Sequence, residues 1–79
     1  MGTKNKPGDY DCYANAEPDE PMFILLARDP LAPLVVSYWA TLRRESRGPS
    51  AKVNEALQCA EHMGAWYNAN CVDDRERAP

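Results

Sequence analysis

The chain has 79 residues and a net charge of −3, which is room for one small domain. Its 12 acidic and 9 basic residues are mixed along the sequence, and this excludes the clustered positive charge typical of nucleic-acid-binding proteins. A core this small leaves little material for a deep, dry catalytic cavity, so we expect a protein that is not an enzyme and carries no cofactor.

Residues 1–9 have no apolar period and contain the Pro7-Gly8 pair, which predicts a flexible N-terminal arm. One small domain is expected over residues 10–69. Residues 70–79 lose the apolar period again and carry many charges, which predicts a flexible charged tail. The three cysteines are an odd number at irregular spacing, typical of free thiols in a reducing cytoplasm.

The longest apolar run is residues 22–27, between two proline-containing stretches. At six residues it is far too short to cross a bilayer, and we expect no membrane association. Periodicity does not separate a short strand or extended segment from one and a half turns of helix here. The length favours the extended form, and the choice stays open. Either structure predicts that the run is part of the core.

The first helix is expected to begin after Asp29, which would cap it, with Pro33 at its first position. Apolar residues then recur at steps of three and four, which predicts an amphipathic helix with this face in the core. These residues are Leu34, Val35, Tyr38, Trp39 and Leu42. Three arginines (Arg43, Arg44 and Arg47) suit the negative pole of the helix dipole, and Gly48-Pro49 ends the helix.

Ser50 is expected to cap the second helix. Ala56, Ala60 and Gly64 form a ridge of small residues along which another helix can approach closely. The short connection predicts an antiparallel helical hairpin. The other apolar positions at helical spacing are Val53, Leu57, Met63 and Tyr67, whereas Lys52, Glu55, Gln58 and Glu61 are expected to face water. The fold class is therefore mainly α, a short extended or strand segment followed by a hairpin, and the slim core predicts homo-oligomers.

Cys59 and His62 are three residues apart on the second helix and could share a metal ion. Zinc sites usually have two such pairs and this chain has one, so we expect no metal site. A nucleophile would need a base, and His62 is the single histidine. We therefore expect no catalytic residues.

Aromatic and arginine side chains remain as candidates for binding a partner or ligand. Trp and Arg dominate the energetics of protein interfaces, and together they also suit a nucleobase and its phosphate. The simpler interpretation, that both tryptophans complete a thin core, stays open. The candidate binding residues are Glu20, Arg28, Asp29, Trp39, Arg43 and Trp66.

One part of the sequence resembles a pattern found in small phage and prophage proteins. The resemblance rests on the stretch Asp19-Glu20-Pro21-Met22-Phe23-Ile24-Leu25-Leu26-Ala27-Arg28-Asp29, followed by Trp39-Ala40, Glu55-Ala56, Met63 and Trp66. The similarity covers about residues 18–67. It brings no catalytic residues with it. It implies an accessory protein that acts in the cytoplasm of a bacterial host.

The resemblance and the composition together predict a non-enzymatic binding protein that inhibits a host defence protein by occupying its surface. Its partner is then a host protein, and the chain acts as a homo-oligomer. Two alternatives remain: an oligomeric sponge that sequesters a small nucleotide second messenger, or a minor component of virion structure or assembly.

Overall fold

The computed structural model describes residues 1–71 and contains two helices, α1 (Ala32–Arg47) and α2 (Ala51–Asn70). The helices pack against each other as a hairpin, so the predicted mainly α architecture is confirmed. Of the predicted tail, Asn70 is the last residue of α2 and Cys71 its C-cap. The rest of the tail lies outside the described residues.

Helix α1 starts at Ala32, one residue before the predicted first position Pro33. The N-cap residue is Leu31, which has no side-chain cap, and Pro33 is the second helical residue. Asp29 is not the helix cap: its Oδ1 accepts a hydrogen bond from the Leu31 amide at 2.9 Å, within the turn that precedes the helix. Asp29 lies two residues before the N-cap because residues 29–32 form a turn of their own, in which the Asp29 carbonyl accepts from the Ala32 amide at 3.0 Å.

The connection between the helices is Gly48-Pro49-Ser50. Gly48 has a φ of 83°, a left-handed conformation that residues with a Cβ rarely adopt, and its amide donates to the Arg44 carbonyl at 2.7 Å. Ser50 caps α2 as predicted, since its Oγ accepts from the Val53 amide at 3.2 Å. These two residues fix the sharp reversal that brings α2 back along α1.

The core between the helices is made of small side chains. Ala40, Val53 and Ala56 form its centre, with Met1, Val36 and Leu57 packed around them. The prediction that small residues of α2 line a close helix contact is confirmed for Ala56 and Ala60, which are buried. The buried apolar residues are Ala32, Ala40, Val53, Ala56, Ala60 and Tyr67.

The prediction that residues 22–27 belong to the core is wrong. This run forms neither helix nor strand, and no strand occurs anywhere in residues 1–71. Phe23 is 85% exposed, and Met22, Ile24 and Leu26 are each more than half exposed. A hairpin whose helices touch through alanines has no space between them for a third apolar layer, so the run lies outside.

The predicted core face of α1 is also wrong. Leu34, Val35, Tyr38 and Leu42 are exposed, and Trp39 lies at the rim of the core. α1 instead turns its alanines and Val36 towards α2. Neither helix in the described part of the chain is long and apolar enough to cross a lipid bilayer.

Candidate binding surfaces

Three surface features bring together most of the chemistry that the sequence offers: an exposed apolar segment, a cleft beside Trp66, and a group of cations around Trp39. Each arises because the small helix contact leaves larger side chains outside. No buried polar side chain without a hydrogen-bond partner occurs in residues 1–71.

The apolar segment, residues 22–26, exposes four large apolar side chains in a row broken only by the half-buried Leu25. Within residues 1–71 none of its backbone amides donates a hydrogen bond, and its one backbone bond is the Leu26 carbonyl accepting from Asp29 at 3.0 Å. Backbone groups without internal partners must be solvated or be paired by another molecule. The segment thus offers both apolar side chains and free amides to a partner.

The Trp66 cleft lies between the N-terminal arm, the end of the apolar segment and the second half of α2. Its volume is about 360 Å³, and it brings together two predicted binding residues, Arg28 and Trp66. Leu25, Leu26 and Met63 form an apolar lining, and Lys4 and His62 add polar groups. The remaining lining residues are Gly2, Thr3 and Ala27.

Lys4 and His62 were not among the residues predicted from the sequence. His62 lies one turn before Trp66 on α2, a spacing that places both on the same face and could have indicated it. Lys4 reaches the cleft only because the arm folds back on α2, which no local pattern predicts. Together with Arg28 they give an apolar cleft with up to three basic groups at its walls.

Trp39 is placed beside two cations. The Arg43 guanidinium lies 5.7 Å from the centre of the Trp39 ring, and the Lys52 ammonium lies 5.8 Å from it. Both distances are within the range of cation–π attraction. Two of the predicted residues, Trp39 and Arg43, are thus neighbours, and Lys52 joins them from the first turn of α2. The sequence predicted that Lys52 faces water, but its side chain is half-buried in the structure.

Glu20 and Asp29 have local roles. The Glu20 carboxylate accepts a hydrogen bond from the Glu17 amide at 3.0 Å, which closes a turn before the apolar segment. The Asp29 carboxylate closes the turn after the segment. Neither is brought to Trp39 or into the Trp66 cleft lining. These two predicted residues therefore shape the ends of the segment.

The N-terminal arm is attached to α2 through Glu55, a residue that we expected to face water. The Glu55 carboxylate accepts hydrogen bonds from the Met1 ammonium at 2.8 Å and from the amides of Asp9 and Tyr10 at 3.2 Å. Asp11 also pairs with the Met1 ammonium. The bond to the ammonium is the main reason that the pKa of Glu55 lies below its ordinary value; burial opposes it, and the two amides add to the lowering.

Gly8 permits this docking, because a Cβ at this position would collide with the Met1 backbone and lie 2.9 Å from Glu55 Oε2. The prediction that residues 1–9 are flexible stays a prediction. The contacts show that the arm packs against α2 at a defined position, which the sequence did not indicate. This packing places Lys4 at the cleft.

The three thiols, all within residues 1–71, are free. Burial raises the pKa of the Cys59 thiol, and Glu55 adds to the rise while the Met1 ammonium opposes it, so Cys59 has little thiolate character. In the described part of the chain no three His, Cys, Asp or Glu side chains converge as metal ligands.

Comparison with known proteins gives no match: no family model matches the chain, and neither a curated protein nor a solved structure does so.

Proposed function

We propose that the chain is a non-enzymatic accessory protein of phage or prophage type that binds a host protein and inhibits it by occupying its surface. The observation that supports this most directly is the apolar segment, where Phe23 is 85% exposed and the amides of residues 22–26 have no partners within residues 1–71. The resemblance of residues 18–67 to small phage and prophage proteins supports the setting, the cytoplasm of a bacterial host.

The physical reason is that the segment gains from a partner in two ways. Burying a large apolar side chain is worth about 1.5–3 kcal/mol, and free backbone amides can pair with the edge strand of a partner sheet. Arg28 and Trp66, at the cleft that the segment borders, are suited as anchors at one end.

The test is capture of a partner from bacterial lysate by the tagged chain. Phe23→Ser removes the most exposed large side chain and should weaken capture by about 30-fold if Phe23 is an interface hot spot. Tyr13→Ser is the matched control, because Tyr13 is 73% exposed and lies outside the segment. Equal capture by Phe23→Ser and the unchanged chain would refute the assignment of the segment.

The predicted anchors are tested in the same assay. Arg28→Ala and Trp66→Ala should each weaken capture, and Trp39→Ala with Arg43→Ala should abolish it while the helical circular dichroism stays the same. If the Trp39 and Arg43 variants capture the partner fully, the Trp39 group does not belong to the interface.

A second function, a sponge for a nucleotide second messenger, is favoured by the Trp66 cleft. Its volume of about 360 Å³ falls within the usual range for small-molecule sites, and it combines an indole with Lys4, Arg28 and His62. Stacking of a base on Trp66 and a phosphate on Arg28 would use this composition. A thermal-shift screen with cyclic nucleotides and ADP-ribose derivatives tests it, because a ligand that binds the folded chain raises its melting temperature.

Arg28→Ala should abolish any such shift, and Arg47→Ala, an exposed arginine that is not in the cleft lining, is the control. No shift at high ligand concentration removes the sponge function and leaves the protein-binding function standing.

A further inference from the structure

Helix α1 has two apolar faces, and α2 covers only one of them. Ala40 clusters with Val53 and Ala56 of α2, and Val36 packs against that cluster. The buried Ala32 lies on the same face of α1, four residues before Val36. At 100° per residue, the larger apolar residues fall within an arc of about 100° whose centre lies about 150° from that small face. We name this set the α1 stripe: Leu31, Leu34, Val35, Tyr38 and Leu42.

The exposed area of the α1 stripe is close to the apolar area of one side of a homodimer interface. Its five side chains are between 46% and 67% exposed. Taking about 200 Å² for a fully exposed large residue, they present about 600 Å². A standard interface buries about 800 Å² per partner, and about 65% of a homodimer interface is apolar. The stripe alone therefore supplies the apolar area that one side of a stable homodimer needs.

The charges of α1 favour one direction for such a pair. At 100° per residue, Arg43, Arg44 and Arg47 fall on the side of α1 that faces away from the α1 stripe, whereas Glu45 falls within its arc. Two parallel copies would set the two Glu45 carboxylates opposite each other. Two antiparallel copies separate these carboxylates and also oppose the helix dipoles favourably.

We propose that the α1 stripe is the interface of a homodimer in which α1 pairs antiparallel with α1 of a second copy about a twofold axis at Tyr38. Leu34 of each copy then faces Leu42 of the other, and the two hairpins form a four-helix arrangement. The stripe lies one turn short of Glu45, which gives the interface a charged end. This dimer does not depend on the proposed function, which uses the apolar segment.

The experiment measures the mass of the full-length chain by sedimentation equilibrium and native mass spectrometry at high micromolar concentration. The unchanged chain should have twice its 8.9 kDa mass. Leu34→Glu should weaken the dimer by about 100-fold or more, because the twofold axis places the change in the interface twice. Leu34 is 67% exposed in the single chain, so the hairpin itself should keep its helical circular dichroism.

A charge exchange tests the antiparallel direction. Leu42→Lys alone should also give monomers, whereas the double variant Leu34→Glu with Leu42→Lys should form the dimer again, because opposite charges then face each other. In a parallel pair like charges would meet at both positions and the dimer would stay broken. Tyr13→Glu is the control, since it places a charge on a residue outside the stripe that is 73% exposed, close to the 67% of Leu34.

A monomeric unchanged chain would overturn the proposal, as would a dimer that Leu34→Glu leaves intact or a dimer that the double variant fails to restore. If the unchanged chain is monomeric and Leu34→Glu loses capture of a host protein, the stripe belongs to the host-partner surface instead.

Discussion

Val53 and Val35 offer the sharpest test of the small helix contact, because the same substitution falls on the covered and the uncovered side. Val53 is 0% exposed and lies at the centre of the core, whereas Val35 is 49% exposed. Val53→Ala removes two methyl groups, worth about 1.6 kcal/mol of transfer free energy, and the cavity adds about 1 kcal/mol. Alanine is the better helix former by about 0.5 kcal/mol, so the net loss is about 2 kcal/mol.

At Val35 the methyl groups already meet water, and the helix-propensity gain offsets what little burial is lost. Val35→Ala should therefore change the free energy of unfolding by less than about 0.5 kcal/mol in dilute protein. Urea denaturation followed by circular dichroism at 222 nm, near the far-ultraviolet helical minimum, measures both. Concentrations below the dimerisation range keep the α1 stripe uncovered. Equal losses at the two positions, or a larger loss at Val35, would refute the assignment of the α1 faces.

Two further predictions concern the N-terminal arm and the α2 cap. Glu55→Ala should speed hydrogen exchange at the Asp9 and Tyr10 amides, because these amides donate to the Glu55 carboxylate. Glu61→Ala is the control and should leave their exchange unchanged. Unchanged exchange in both variants would contradict the packing of the arm against α2. Because the pKa of Glu55 is lowered from 4.5, its contribution should be complete above pH 4.5 and be lost as the pH falls through the lower folded value. The loss should be seen as a fall in the protection of the Asp9 and Tyr10 amides relative to free peptides at the same pH. Ser50→Ala removes the acceptor for the Val53 amide and should lower the free energy of unfolding by about 1 kcal/mol. Ser46→Ala is the control and should change it by a few tenths at most, because the Ser46 hydroxyl only donates back to the Leu42 carbonyl in the last turn of α1.

The sequence predicted the elements of the fold well where the cause is local. Gly48 and Ser50 define the reversal through their own backbone and side-chain preferences, and the small residues at positions 56 and 60 predict a close helix contact. The failure at α1 has a physical reason. Periodicity reports which side chains share a face, but it does not say which face meets the neighbour, and α1 has two apolar faces.

The larger face looked like the core because it contains Leu34, Tyr38 and Leu42. The smaller face, with Ala32 and Ala40, packs on α2 because alanine permits the closer approach. Once the alanines form the contact, the leucines have no place inside. The apolar segment is outside for the same reason.

The binding residues were predictable as types and less so as groups. Trp39 and Arg43 are one turn apart on one helix, so their proximity follows from the sequence. Other groups join residues that are far apart in the chain: Arg28 and Trp66 line the same cleft, and Glu55 accepts hydrogen bonds from the arm. Such contacts depend on the path of the whole chain, which local patterns do not contain.

Hydroxyl-radical footprinting of the dilute chain measures the central claim, that small residues form the centre of the helix contact and that the large apolar side chains of α1 and of the apolar segment lie on the surface. Phe23, Leu34 and Tyr38 should be modified at rates near those of free peptides, while Tyr67 should be protected. Protection of Phe23 and Leu34 to the level of Tyr67 would place them inside the fold and contradict the account.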